Sequence, residues 1–338
     1  MPERGHILVI LDGMTDGQTG FDSLPELAAL ARGGLCGTSR NTPAGFPCES
    51  YPAIATLLGL GPGQIPPGGR GWLEALGAGV PVQPGDLLLR GSWVRLEQGR
   101  AAGYADPPQS LPAVPGVEYY ALGGYKALLR LPGAGPLAGR ITAAQPYRSM
   151  GRPWRELLPA GVPLLEQFAA ALHQEKRMLV PWGQSTPGRL PAFGWRGAAV
   201  TGTGLVRGLC LALGMEVPAV TGATGDTDTD LHAKAAAALA LAEQYPFVLL
   251  HLGGADEAAH RRSPEEKRDF LRRAGHLVLA PLGQSGLPLC VCADHSTSPV
   301  TGEHSGPVQP FVLAGSRRTA LPQLPLEGSR LVTLLMED

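Results

Sequence analysis

The chain has 338 residues, of which 44% are hydrophobic, and its formal net charge is −1 at pH 7. This balance gives no electrostatic basis for binding nucleic acid or an anionic membrane surface, and no run of about 18 apolar residues predicts a membrane span. The five cysteines lack the spacing of a disulfide framework and the N-terminus leads directly into an apolar segment, so we expect a cytoplasmic protein with reduced thiols.

The first 61 residues predict the beginning of an α/β domain. His6–Leu11 is an unbroken apolar run, which is typical of a strand buried on both faces of a parallel sheet, and Asp12 follows it. We expect a helix near Leu24–Arg32 and a second helix from Ser50 to Leu58, where Gly59 ends it.

Residues 62–160 differ in pattern from the segments on either side. They are dense in glycine and proline, and they contain three short strand-like runs whose partial alternation indicates antiparallel strands with one solvated face. These runs are Asp86–Leu96, Val117–Leu122 and Tyr125–Leu131.

From about residue 163 the alternation of strands and helices returns. The sequence therefore predicts an α/β fold: a mostly parallel, doubly wound sheet built from residues 1–61 and 161–338, interrupted by a smaller α+β insert at 62–160. The helices expected here are Pro163–Gln174, Thr203–Leu213 and Asp230–Gln244, and the strands are Met178–Pro181, Ala198–Val200, Phe247–Leu252 and Leu289–Ala293.

Aspartate and histidine follow three of the predicted core strands. Asp12 follows the first strand, and Asp256 and His260 follow Phe247–Leu252 with the spacing of four that places both on one helix face. Asp294-His295 directly follow Leu289–Ala293, and His304 comes nine residues later. Ligands of open α/β sheets bind outside the carboxyl ends of the strands, so we expect one site that holds two divalent metals.

Each of these residues also has an ordinary structural interpretation. Asp-Gly is a frequent turn, and an aspartate near a helix N-terminus is a common cap. The convergence on three strand ends favours metal binding over separate structural roles. The other five histidines are given no direct role in the site: His6, His173, His232, His251 and His276. Of these, His251 lies within a predicted strand, and we expect it to be a hydrogen-bonded core residue or a neighbour of the ligands.

Ser50 has two compatible interpretations. It is a good helix N-cap, with Pro52 in the first turn. A serine at a helix N-terminus also lies where N–H groups favour an incoming anion, and a metal bound to its oxygen would make it a nucleophile near neutral pH.

Several motifs occur in an order that resembles one family of enzymes. The chain resembles the archaeal-type cofactor-independent phosphoglycerate mutases of the alkaline phosphatase superfamily, and the resemblance covers nearly the whole chain. The motifs that carry it are Asp12-Gly13, the Ser50 helix, Gly69-Arg70-Gly71 with Glu74-Ala75-Leu76-Gly77, Trp182-Gly183-Gln184, Gly225-Asp226-Thr227-Asp228-Thr229, Ala255–His260, Asp294-His295 and His304.

The resemblance implies a set of ligands and a reaction. One ion would be held by Asp256, His260 and His304, and the other by Asp12, Ser50, Asp294 and His295. Oxygen and imidazole ligands suit Mn²⁺, Zn²⁺ or Mg²⁺. The implied reaction interconverts 3-phosphoglycerate and 2-phosphoglycerate through a phosphoserine at Ser50. Cationic groups of the insert would hold the substrate, and the candidates are Arg90, Lys126 and Arg70.

Some positions depart from the family pattern. Tyr51 follows Ser50 where aspartate is usual, and Tyr125-Lys126 replace a His-Arg pair. All the metal positions are retained, whereas several substrate-handling positions are not, although Arg90 still matches an arginine of the family. This leaves open a phosphotransferase, comparable with a homoserine kinase, or a phosphatase, acting on another small phosphorylated metabolite. A non-catalytic binding module is disfavoured by seven intact ligand positions, and the sequence does not determine the oligomeric state.

Overall fold

The computed structural model describes residues 5–16 and 24–337. The chain divides into two compact units. The first unit comprises Met1–Ile65 and Leu190–Asp338, and the second comprises Pro66–Arg189.

The first unit is built on a seven-stranded, mostly parallel sheet. Four of its six pairings are parallel, and only β13 (Val308–Ala314) runs antiparallel to both of its neighbours. In sheet order the strands are β14 (Leu326–Glu327), β2 (Leu35–Arg40), β13 (Val308–Ala314), β10 (Leu289–Cys292), β1 (His6–Leu11), β9 (Phe247–Leu252) and β8 (Gly197–Val200). The expected mixed α/β fold with a mostly parallel core sheet is therefore confirmed.

Helices cover this sheet because the central strands are apolar on both faces. Ile7, Val9 and Leu11 of β1 pack into a cluster with residues of α1 (Pro25–Gly33), α6 (Leu231–Ala242) and α8 (Pro264–Ala274). The alternate residues Leu8 and Ile10 are fully buried as well. The helices of this unit are α1 (Pro25–Gly33), α2 (Ser50–Leu57), α5 (Gly204–Ala212), α6 (Leu231–Ala242), α7 (Gly254–His260), α8 (Pro264–Ala274), α9 (Ala280–Gln284) and α10 (Leu331–Met336).

The second unit contains a five-stranded antiparallel sheet, as the alternation in residues 86–131 predicts. Its helices are α3 (Arg70–Gly77) and α4 (Pro163–Ala171). Four strands follow one another in the order β4 (Arg100–Tyr104), β3 (Leu87–Glu97), β6 (Lys126–Leu131) and β5 (Glu118–Ala121), and β7 (Arg177–Ser185) also pairs with β3.

The position of β7 corrects the expectation that Met178–Pro181 is a strand of the core sheet. β7 pairs antiparallel with β3, so residues 161–189, which the sequence analysis placed in the core, pack within the second unit instead. Leu179 enters one apolar cluster of this unit, whereas Met178 and Val180 enter another. A strand apolar on both faces looks the same in either sheet, and its burial between two small clusters is visible only in the fold.

Within the described part of the chain, no helix is long and apolar enough to cross a membrane.

Candidate metal centre

The carboxyl ends of three adjacent strands position the candidate site. β1 pairs in parallel with both β9 and β10, so the three strands end at the same edge of the sheet. Asp12 follows β1, Asp256 lies in α7 after β9, and Asp294 follows β10. All three carboxyl groups are buried, which is costly unless they are paired or bind a cation.

The first cluster consists of Asp256, His260 and His304. The Nε2 atom of His260 lies 3.2 Å from Asp256 Oδ2, and that of His304 lies 3.4 Å from Asp256 Oδ1. The two Nε2 atoms are 3.0 Å apart. The spacing of four residues on one helix thus places the imidazole of His260 beside the carboxylate of Asp256.

Backbone carbonyls set the tautomers of these two rings. His260 Nδ1 donates to the carbonyl of Gly302 at 2.9 Å, and His304 Nδ1 donates to that of Cys48 at 3.1 Å. Because a carbonyl only accepts, Nδ1 carries a proton in both rings. Each neutral ring therefore presents the lone pair of Nε2 to the cluster, as a metal ligand must.

The second cluster consists of Asp12, Asp294 and His295. Asp294 Oδ1 accepts the backbone N–H groups of Gly13 at 3.2 Å and His295 at 2.8 Å. The Nε2 atom of His295 lies 3.3 Å from Asp294 Oδ2 and 3.6 Å from Asp12 Oδ1. These two carboxylate oxygens are buried and accept no hydrogen bond from the described residues.

Ser50 adjoins the second cluster. It is the first residue of α2, and Glu49 precedes it as the N-cap, without a capping hydrogen bond from its side chain. The Oγ atom of Ser50 lies 3.1 Å from His295 Nε2. The serine hydroxyl is thus directed at the cluster. The interpretation of Ser50 as the N-cap residue is wrong, because Glu49 occupies that position.

Burial and mutual repulsion shift the pKa values of the three aspartates in the site. Burial and the charge of Asp294 raise the pKa of Asp12, while burial and the charge of Asp256 raise that of Asp294 to about 6. Burial would also raise the pKa of Asp256, but His260 and His304 outweigh it and hold this pKa well below its usual value. Three carboxyl groups in one buried site therefore favour a cation.

Burial acts on the pKa values of the histidines in the opposite direction, because it disfavours the charged imidazolium form. Burial lowers the pKa of both His295 and His304 to about 4, so both rings are neutral near pH 7. Burial would lower the pKa of His260 as well, but the charge of Asp256 raises it.

Two groups of ligand atoms have the spacing for a metal ion. Asp256, His295 and His304 form one group and Asp12, Asp294 and His295 form the other, with the atoms of each within 4.8 Å of one another. His295 belongs to both, so the two subsites adjoin. The buried carboxylate oxygens without a donor and the neutral imidazoles fit divalent cations that accept oxygen and nitrogen ligands.

Two further residues contact candidate ligands. His251 Nε2 donates to Asp12 Oδ2 at 3.0 Å, so this buried strand residue orients a candidate ligand, one of the two positions expected for it. Thr297 donates to Asp256 Oδ1 at 2.6 Å. The sequence analysis missed Thr297, because a threonine carries no signal comparable with that of a histidine one residue before the end of β9.

The three predicted substrate-binding cations gather in the second unit around one acid, Glu74. Arg70 Nε donates to Glu74 Oε1 at 2.9 Å, and Arg90 Nη1 donates to Oε2. Burial would raise the pKa of Glu74, but Arg90, Arg70 and Lys126 outweigh it and lower this pKa. Arg90 is buried, and its Nε has no acceptor among the described residues. The cluster thus has three cations and one anion.

The chain is similar to proteins of one named enzyme family. A family model for 2,3-bisphosphoglycerate-independent phosphoglycerate mutase matches residues 31–105. The enzyme of that name from Methanopyrus kandleri is 29% identical, with 94% of this chain and 89% of the relative covered. The one from Thermococcus kodakarensis is 28% identical, with 93% and 89% covered. The resemblance to these mutases is confirmed.

Two solved structures have a fold similar to that of this chain. A protein from Pyrococcus horikoshii superposes with a TM-score of 0.69 at 23% identity, covering 99% of this chain and 97% of that one. A cofactor-independent phosphoglycerate mutase from Thermoplasma acidophilum gives a TM-score of 0.54 at 21% identity, with 99% of both chains covered. At these identities the likeness establishes the fold alone.

Proposed function

We propose that the protein is a metal-dependent phosphoryl-transfer enzyme of the alkaline phosphatase superfamily that interconverts 3-phosphoglycerate and 2-phosphoglycerate. The observation that carries this proposal is the convergence of Asp12, Asp256 and Asp294 at one sheet edge. Two of their buried carboxylate oxygens accept no hydrogen bond from residues 5–16 and 24–337. The curated relatives named as mutases supply the reaction class.

In this proposal the chain holds two divalent ions, Mn²⁺, Zn²⁺ or Mg²⁺. The first would be held by the cluster of Asp256, His260 and His304, and the second by Asp12, Asp294, His295 and Ser50. When bound, such ions lower the pKa of a serine hydroxyl and neutralise charge on a phosphoryl group.

Ser50 is the proposed nucleophile. Its Oγ loses its proton and attacks the phosphorus, the bond from phosphorus to the glycerate oxygen breaks, and that oxygen takes up a proton. The neighbouring glycerate hydroxyl then loses its proton and attacks the phosphorus, the bond from phosphorus to Oγ breaks, and Oγ is protonated again. The placement of Ser50 at the first position of α2, beside His295, supports this role because the helix N–H groups favour an anion there.

The cluster of Arg70, Arg90 and Lys126 is the proposed substrate-binding group of the second unit. Its excess of positive charge suits a carboxylate or a phosphate, and so does the Nε of Arg90, which has no acceptor within the described part of the chain.

The proposal is tested by incubating the purified protein with 3-phosphoglycerate and Mn²⁺ and measuring 2-phosphoglycerate. Conversion that is abolished by a chelator and restored by Mn²⁺ is expected. Absence of conversion with Mn²⁺, Zn²⁺ and Mg²⁺ alike would overturn the mutase assignment.

One observation favours a second function, phosphoryl transfer or hydrolysis on another small phosphorylated metabolite. Glu74 partly neutralises the three cations of the second unit, and Lys126 lies beside Tyr125, 5.3 Å from its ring, where the family has a His-Arg pair. A weakly held glycerate would leave before rephosphorylation, and water would take the phosphoryl group. Phosphate release from 3-phosphoglycerate, phosphohomoserine and generic phosphomonoesters, measured beside mutase turnover, separates the two functions.

A further inference from the structure

Thr297 lies between the two candidate metal clusters. Its side chain is fully buried, and its hydroxyl donates to Asp256 Oδ1 at 2.6 Å. The Nδ1 atom of His295 lies 3.2 Å from the same hydroxyl oxygen. Asp256 belongs to the first cluster and His295 to the second, so one hydroxyl contacts a candidate ligand of each.

The direction of these two hydrogen bonds is determined by chemistry. A carboxylate only accepts, so the single hydroxyl proton of Thr297 goes to Asp256. His295 Nδ1 must then carry a proton and donate it to the Thr297 oxygen. The lone pair of His295 is left on Nε2, the atom that faces Ser50 Oγ at 3.1 Å.

Neighbouring residues fix the position of Thr297. Its N–H donates to the carbonyl of Thr15 at 2.9 Å, and the buried ammonium of Lys267 donates to the carbonyl of Thr297 at 2.7 Å and to that of Thr15 at 3.3 Å. Thr297 in β11 (Ser296–Thr297) also pairs with His304 in β12 (His304–Ser305). A buried lysine that donates to backbone carbonyls is costly to retain, which indicates a specific role.

Gly13 provides the space for this arrangement. Its φ is +63°, and a Cβ atom built on it would lie 2.6 Å from Thr297 Oγ1 and 3.0 Å from the Cα of Asp256. Only glycine allows the turn after β1 to approach Thr297 and Asp256 this closely.

We propose that Thr297 is a positioning residue that couples the two metal subsites. Its hydroxyl fixes the carboxylate of Asp256 and the ring and tautomer of His295 together, and Lys267 holds its backbone in place. The inference rests on the proposed function only in requiring that both clusters bind metal.

The test measures binding of Mn²⁺ alone, by titration calorimetry on the metal-free protein. Thr297→Val keeps the shape and removes the hydroxyl, so both ions should bind about 10–100-fold more weakly, the usual effect of losing a partner that orients a ligand. Thr297→Ser should restore binding. Thr229→Val is the matched control, because Thr229 is equally buried and accepts the N–H of Thr224 at 3.0 Å, apart from the candidate ligands.

The outcomes separate this inference from the proposed function. Weakening of both ions in Thr297→Val, with normal binding in the serine variant and the control, supports coupling. Unchanged binding in Thr297→Val, or weakening of one ion only, would overturn it while leaving the metal centre intact. A wild type that binds no Mn²⁺ would overturn the metal centre and the coupling together. Thr297→Ala, with the same expected result, replaces Thr297→Val if that variant does not fold.

Discussion

The Nε2 atoms of His260 and His304 lie 3.0 Å apart, and the Nδ1 atom of each ring donates to a backbone carbonyl. Two neutral rings held in this way direct two lone pairs at the same point, which is unfavourable unless a cation lies there. The carboxylate of Asp256 adjoins both rings. A divalent ion bound there would meet three ligands that are already oriented.

Removal of a histidine or of the aspartate from the first cluster should abolish binding of one ion. His304→Ala and Asp256→Ala are expected to retain one of two bound Mn²⁺ ions, because the second cluster keeps its own carboxylates. Metal content after gel filtration gives the stoichiometry. His232→Ala, at an exposed histidine, is the control and should keep both ions. A full complement in both cluster variants would show that the ligand assignment is wrong.

Ser50→Ala should lower turnover by at least about 10³-fold, since removal of a nucleophile from a group that acts as a unit is severe. The fold should persist, because α2 keeps its other contacts. Brief incubation with substrate, acid quench and peptide mass spectrometry should locate phosphate on Ser50 in the wild type. Ser285→Ala removes a hydroxyl that donates to the Leu282 carbonyl and serves as the control. Unchanged turnover in Ser50→Ala would show that Ser50 is not the nucleophile and has only a structural role.

Metal affinity should fall as the pH falls below about 6. Burial and the charge of Asp256 raise the pKa of Asp294 to about 6, so at lower pH an incoming ion must displace a proton. The apparent affinity should then decrease by roughly tenfold per pH unit for each proton displaced. Mn²⁺ titration at pH 5 and pH 7, in buffers of different ionisation enthalpy, measures both the affinity and the protons released.

The raised pKa of Asp294 favours folding of the metal-free protein at low pH, whereas it disfavours metal binding there. The folded state binds the proton of Asp294 more tightly than the unfolded state does, so this group's contribution to stability is present below about pH 4 and is lost as the pH rises through about 6. An affinity for Mn²⁺ that is equal at pH 5 and pH 7 would contradict the raised pKa.

Glu74→Gln should strongly destabilise the second unit. The change leaves Arg70, Arg90 and Lys126 without their shared anion, and breaking a buried ion pair costs about 3–5 kcal/mol. Chemical denaturation, followed by tryptophan fluorescence, measures the loss. Glu156→Gln is the control, because its pairing with Arg152 is exposed and worth at most about 1 kcal/mol. Equal effects of the two changes would mean that the Glu74 cluster contributes little to stability.

The sequence by itself determined the class of fold and the point where the site forms. Long apolar runs such as His6–Leu11 and Phe247–Leu252 require burial on both faces, and parallel strands bring their carboxyl ends to one edge of the sheet. The residues that follow those runs therefore had to meet. Local spacing also determined that Asp256 and His260 share a helix face, as they do.

Only the tertiary structure decided which partners complete the site. His251 and Asp12 are 239 positions apart, and Lys267 and Thr15 are 252 apart, so no local pattern reports their hydrogen bonds. The sequence did not determine which sheet contains β7 for a similar reason. An apolar strand fits the pattern of either sheet, and only its pairing with β3 in the folded chain assigns it to the second unit. Composition and periodicity report burial, whereas the pairing of one buried group with another depends on how distant segments pack.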